Sequence, residues 1–257
     1  MASTTAGSTG KPIWIDLASS DPAGSRQFYA EVFGWDVEVT ADPQYGGYAL
    51  ARVGGKDVAG IGPTMMAEAP SAWSVYIGTD DAEALTAKAA AGGGTVIAAP
   101  MQVGDTGRLA VFQDPAGAFI GAWQPQTMSG FAPAVVGGFA WAELNARGLD
   151  RALPFYAAAF GWTARSIPMG EGQPVYTELL LGDERVAGAL EMSPMVPAEV
   201  PSYWMVYFAV ADADAVYAKA IAAGAREMLA PQGFPGGRFA ILADPQGAVF
   251  AVRSTSA

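Results

Sequence analysis

The sequence predicts an α+β protein that is duplicated end to end, on three observations. Short blocks recur in the same order in both halves. Within each half, β-rich runs alternate with helix patterns in the order strand, helix, three strands, and that order occurs twice. The composition is that of a packed protein: 51% hydrophobic residues and 15% charged over 257 residues, which is incompatible with a disordered chain.

The repeat is explicit. FYAEVFGW (28–35) matches FYAAAFGW (155–162), 127 residues apart, with Trp14 and Asp16 matching Trp141 and Glu143 at the same spacing. Tyr48 and the later Val58-Ala59-Gly60 match Tyr176 and Val186-Ala187-Gly188. PSAWSVY (70–76) matches PSYWMVY (201–207), and RLAVFQDPAG (108–117) matches RFAILADPQG (238–247). The expected divisions are a flexible polar tail over 1–11, a first domain over 12–125, a linker over 126–136 and a second domain over 137–254. The Gly, Pro and Ser between the halves are typical of linkers.

Element by element, IWIDL (13–17) reads as a short strand. Asp21 caps a helix with Pro22 at its first position, Phe28, Val32 and Phe33 on its apolar face, and Gly34 as its stop. Tyr48–Val53 and Val58–Gly62 are strands around a Gly-Gly-Lys-Asp turn. Trp73–Ile77 begins the second cycle. Asp80-Asp81 starts the helix Ala82–Ala91, which glycines 92–94 end. Strands follow at Thr95–Ala98, Arg108–Phe112 and Phe119–Trp123, with Asp114-Pro115-Ala116-Gly117 turning between the last two. The second half repeats this, with helices near 149–160 and 212–223. Gly46-Gly47 and Gly233–Gly237 are candidate mobile loops. Met65-Met66, Met192 and Met195 fall in comparable linkers, where thioethers either line an adaptable site or fill gaps.

Composition excludes several chemistries. The formal net charge is −11, so phosphate backbones are repelled and no nucleic-acid partner is expected. The chain has no His and no Cys, which removes imidazole acid–base work, Cys or Ser–His nucleophiles, zinc fingers and iron–sulfur clusters. The lack of Cys, together with an N-terminus unlike a signal peptide, points to the cytoplasm. No run approaches the roughly 18 apolar residues of a membrane span, so no membrane partner is expected. The richness in Ala and Gly is a bacterial trait.

The FYxxxFGW helix end, the paired strand–helix–strand cycles and the DPxG turn before each last strand resemble the vicinal oxygen chelate superfamily. This superfamily includes glyoxalases, bleomycin-resistance proteins and extradiol dioxygenases. The resemblance covers about 12–254, once per half, and is strongest to tandem two-domain bacterial members. It implies that paired βαβββ units curl into a cupped, barrel-like mixed sheet with outer helices. It also implies a divalent metal held by a first-strand residue, a fifth-strand residue and a Glu on the last strand. Those positions fall on Trp14 and Trp141, Trp73 and Trp204, and Gly121 and Ala251. An indole offers an N–H and no lone pair, and Gly and Ala offer no side-chain ligand. The expectation is therefore no metal and no cofactor, with space opened at Gly121 and Ala251.

Strand alternation puts Asp16 on the face of Trp14, Glu143 on that of Trp141, Phe208 on that of Trp204, and Trp123 on that of Gly121. With Tyr48 and Tyr176 from neighbouring strands, each cleft would be an aromatic cup with one carboxylate. These tryptophans either bind a planar ligand by burial and stacking or simply fill the core. Asp16 and Glu143 either act as general acid or base or satisfy backbone donors. Glu178 aligns with Leu50 and would distinguish the second cleft. Arg108 and Arg238 either clamp an anionic or carbonyl group or form structural ion pairs. The FYxxxFGW residues read as core.

The expected function is a metal-independent protein that holds a hydrophobic or aromatic small molecule, by sequestration as in resistance to an antibiotic. The alternative is a metal-free lyase, isomerase or hydroxylase-like tailoring enzyme using Asp16 or Glu143. A scaffold with degenerate clefts is a third reading. Because one chain carries the equivalent of a dimer of single-repeat relatives, a monomer or a weak homodimer is expected.

Overall fold

The structure is a computed structural model describing residues 8–65, 68–170 and 174–255; the expectation on Met66 lies outside them. In the first half β1 (Pro12–Ser19), α1 (Pro22–Phe33), β2 (Asp36–Val39), β3 (Ala49–Val53) and β4 (Lys56–Pro63) form one βαβββ module. The second is β5 (Ala72–Gly78), α2 (Ala82–Ala91), β6 (Thr95–Val103), β7 (Gly107–Gln113) and β8 (Phe119–Pro125). The second half repeats both modules. The third module is β9 (Phe139–Ala146), α3 (Leu149–Phe160), β10 (Thr163–Pro168), β11 (Val175–Leu181) and β12 (Glu184–Glu191), and the fourth is β13 (Tyr203–Ala209), α4 (Ala213–Ala222), β14 (Arg226–Phe234), β15 (Gly237–Ala243) and β16 (Val249–Thr255).

The strand order is β2-β3-β4-β1-β5-β8-β7-β6 in one sheet and β10-β11-β12-β9-β13-β16-β15-β14 in the other. Both are mixed: β1 and β4 run parallel, as do β5 and β8, whereas β3 and β4 are antiparallel. Each sheet is open, with β2 and β6, or β10 and β14, at its edges.

The chain separates into two compact units. One comprises residues 1–14, 75–130 and 141–204; the other comprises 15–74, 131–140 and 205–257. Each therefore takes most of one βαβββ module from each half. In the first, α2 packs with α3; in the second, α1 packs with α4.

Local chemistry explains the helices. Asp21 accepts from the Gly24 N–H at 3.0 Å, and Gly34 closes α1 in the left-handed region at φ 71°. A Cβ is strained in that conformation, so Gly fits where other residues do not. The third module has Gly148 at the equivalent cap and no side chain to offer. The Glu191 carboxylate replaces it, accepting from Gly148 N at 2.9 Å and Leu149 N at 2.7 Å. That capping spans 43 residues, so local sequence does not reveal it.

Several details differ from the sequence reading. The edge strands β2 and β10 complete the three strands after the helix in their βαβββ modules, at positions that the sequence patterns do not locate, and β10 is exposed throughout. Gly46 and Gly47 sit at the end of a short 3₁₀ turn, and Gly233 to Gly237 belong to the tight β14–β15 hairpin rather than to open loops. Thr9 bridges to Gly78, and Gly10 N donates to Gly78 O at 2.8 Å, so this part of the N-terminal segment is paired.

Candidate functional site

The repeated motifs build two equivalent buried clusters. In one unit, Trp73 Nε1 donates to the Tyr29 hydroxyl at 2.9 Å, and that hydroxyl donates to Asp244 at 3.0 Å. In the other, Trp204 Nε1 donates to Tyr156 at 2.9 Å, and Tyr156 donates to Asp114 at 2.7 Å. Both tyrosines are fully buried. Burial, followed by the nearby aspartate charge, pushes both phenols well above their usual range, so they stay protonated as donors. Burial likewise raises the Asp244 carboxyl. The FYxxxFGW tyrosine, the PSxW tryptophan and the DPxG aspartate are thus one core device.

This corrects the placement of Trp73 and Trp204 in the clefts. Trp73, Val75 and Ile77 form the buried helix-side face of β5, and Trp204, Val206 and Phe208 that of β13. Phe208 lies 4.9 Å from Phe33 and 5.1 Å from Trp73 between ring centroids, so it is also core. Alternation turns Tyr76 and Tyr207 to the opposite face, where they stand in register with Gly121 and Ala251. The space expected at Gly121 is filled: a Cβ there would overlap the Tyr76 ring. Trp123 is buried and anchored through Nε1 to Met128 O at 3.0 Å.

Arg108 and Arg238 both take part in ion pairs. Arg108 pairs with Glu83 of α2 at 2.6 Å, and Arg238 grips both Asp214 oxygens at 2.6 and 2.7 Å. Each ties a helix to the adjoining strand.

The first-strand positions differ between the halves. Trp14 is 3% exposed. Asp16 is in register with Gly60, and Tyr48 crosses Gly60 and Gly62, its hydroxyl 3.5 Å from Asp16. Trp141, by contrast, remains partly exposed, and its Nε1 donates to the Tyr176 hydroxyl at 2.9 Å. Tyr176 crosses Gly188, and Gly188 is in register with Glu143 and with Glu178. Cross-strand partners share a face, so Trp141, Glu143, Tyr176 and Glu178 line one surface of β9–β12. Ile167, paired with Tyr176, extends it, and its side chain is exposed.

Glu143 is 5% exposed, and Asn145 Nδ2 lies 3.4 Å from its carboxylate. Burial and then the Glu143 charge raise the Tyr203 phenol. Glu178 is held by Arg165 at 2.5 Å and Arg185 at 3.3 Å, and the Arg165 hydrogen bond pulls its carboxyl below the usual range. Arg165, Arg185 and Tyr203 were not singled out from sequence. β10 lacks the apolar alternation that would mark it as a strand.

The chain belongs to the glyoxalase/bleomycin resistance protein/dioxygenase superfamily, whose model matches residues 11–121 and again 138–252. Over 251 residues it is 42% identical to the Mycobacterium tuberculosis protein named "Putative glyoxylase CFP32", covering 95% of this chain and 94% of that one. It is 39% identical over 259 residues to the anthracycline biosynthesis protein DnrV of Streptomyces peucetius, covering 95% and 92%. The Mn(II)-bound glyoxalase from Novosphingobium aromaticivorans shares the fold with a TM-score of 0.65 at 16% identity, covering 96% of this chain and 82% of that one. The 2,3-dioxygenase LapB from Pseudomonas sp. KL28 does so with a TM-score of 0.66 at 15% identity, covering 98% and 94%.

The Mn(II)-bound glyoxalase holds a divalent cation, but the donor set among the described residues here does not fit one. Among the described residues no three His, Cys, Asp or Glu side chains are grouped to hold one. Tyr76 and Tyr207, in register with Gly121 and Ala251, face last-strand residues that offer no side-chain ligand.

Proposed function

We propose that this protein binds a planar hydrophobic or aromatic small molecule without a metal, on the surface of β9–β12 formed by Trp141, Tyr176 and Ile167. The observation that carries this reading is the asymmetry of the repeat: Trp14 is 3% exposed, whereas its counterpart Trp141 stays partly open. An indole oriented through its N–H and flanked by a phenol ring offers stacking area at low entropic cost. The anthracycline association of one relative suits the same ligand shape. Sequestration requires nothing more than this surface.

A second reading is favoured by one feature. The buried Glu143 carboxylate lies near the Tyr203 phenol, and burial and the Glu143 charge hold that phenol protonated. A buried carboxylate beside a phenol that stays protonated, and so can hydrogen-bond a carbonyl oxygen, suits enolisation or isomerisation of a bound ring ketone.

Calorimetric titration with anthraquinone derivatives tests the binding reading. Trp141→Ala should weaken binding at least tenfold, and Trp14→Phe should leave it unchanged. Equal affinity in the Trp141 variant and the parent overturns the site. Mass analysis of the recovered ligand separates the readings. Unchanged ligand supports binding alone, whereas conversion lost in Glu143→Gln at unchanged affinity supports catalysis.

A further inference from the structure

The surface of β9–β12 ends in a charge arrangement that the first half carries with its signs reversed. In the second half the central Glu178 is 12% exposed in its side chain, and Arg165 and Arg185, at 57% and 64%, flank it. In the first half the central residue is Arg52, held by Glu38 at 2.6 Å and Asp57 at 2.7 Å. Arg165 corresponds in sequence to Glu38 and Arg185 to Asp57, while Leu50 stands where Glu178 does. One cluster sums to +1 and the other to −1, in a chain whose net charge is −11.

We propose that Arg165 and Arg185 recognise an anionic group, a carboxylate or an ionised phenol, on the ligand seated over Trp141 and Tyr176. This rests on the binding reading above and names the ligand class for it. Register carries the geometry. Arg165 pairs with Glu178, and Ile167 pairs with Tyr176, so Arg165 and Ile167 adjoin along one face of β10. Two residues of strand span roughly 7 Å, which is within the length of a fused-ring ligand lying on Ile167 and Tyr176. Glu178 accepts from Arg165 Nε and Nη2 and from Arg185 Nη1. Arg165 Nη1, Arg185 Nε and Arg185 Nη2 meet no acceptor among the described residues, so forked donors remain for an incoming anion. Glu178 offsets the repulsion between the two guanidiniums and fixes Arg165 while leaving one positive charge over. The acid–Arg–acid cluster of the first half would repel the same ligand.

The experiment compares anthraquinone-2-carboxylate with its methyl ester by calorimetry at low and moderate salt. The parent should bind the acid about tenfold more tightly than the ester, with the difference shrinking as salt rises. The double variant Arg165→Gln/Arg185→Gln should lose that preference and keep its affinity for the ester, and Arg52→Gln should change neither. Equal binding of acid and ester by the parent, or a preference that survives in the double variant, overturns the proposal and leaves the binding reading standing. Failure of both compounds to bind overturns both.

Discussion

At the scale of single residues, the buried tyrosines hold the most consequential hydrogen bonds. Tyr156 accepts from the Trp204 indole and donates to Asp114, and it has no solvent to fall back on because it is fully buried. Tyr156→Phe keeps the ring, which stacks on Trp162 at 5.5 Å, and removes only the oxygen. The indole N–H is then orphaned and Asp114 Oδ2 loses the Tyr156 donor, while Oδ1 keeps its donors from Ala116 and Ala118. An unsatisfied buried donor costs about 1–3 kcal/mol. Urea denaturation should show a loss of that size for Tyr156→Phe and a similar one for Tyr29→Phe. A loss below about 0.5 kcal/mol would mean the relay is incidental to packing. The sequence reading recognised these residues as core and the aspartates as turn formers. The link between them was out of reach, because the partners lie 42 residues apart in one case and 215 in the other.

At the scale of elements, the strand faces decide what the site contains, and here the sequence was only partly legible. The caps of α1 and α2 follow from Asp21, Asp81, Gly34 and Gly92, and the structure places them there. The resemblance maps a family position onto Trp73, whose side chain lies on the buried face of β5. Trp73, Val75 and Ile77 make an uninterrupted apolar face, which by alternation alone marks the core side. The βαβββ order requires β2 and β10, but the sequence does not locate them, because short, exposed edge strands need no apolar pattern. Glycines in β4 and β12 serve close approach: a Cβ at Gly188 would overlap the Tyr176 hydroxyl and crowd Trp141 Nε1. Gly188→Ala should therefore destabilise the protein by about 1–3 kcal/mol through overpacking. Tyr176→Ala in the same chain should recover part of that loss in thermal melts. If the double variant is no more stable than the sum of the single losses predicts, the ring does not occupy the space the glycine leaves.

At the scale of the whole molecule, duplication has a consequence that neither half shows alone. Sequence similarity divides the chain near residue 130, yet each compact unit draws most of one module from each side of that point. Tyr29 of the first half finds its aspartate at position 244 of the second, and Tyr156 of the second finds its own at position 114 of the first. Phe28 meets Phe250 edge-on at 6.1 Å, and Trp35 Nε1 donates to Gly137 O at 2.7 Å. Local patterns are the same in both copies, so they carry no information about which copy a motif partners. A fragment of residues 1–130 would expose Phe28 and leave Tyr29 without its carboxylate, and residues 131–257 would lack the partner of Tyr156. Each fragment should therefore give poorly dispersed amide spectra when expressed separately. Mixing equimolar fragments, or co-expressing them, should restore dispersion and cooperative melting. A fragment that alone folds to a stable, well-dispersed monomer would show that the cross-half hydrogen bonds are dispensable. A fragment that folds only as a homodimer would show that each copy can stand in for the other, because both carry the same tyrosine, tryptophan and aspartate.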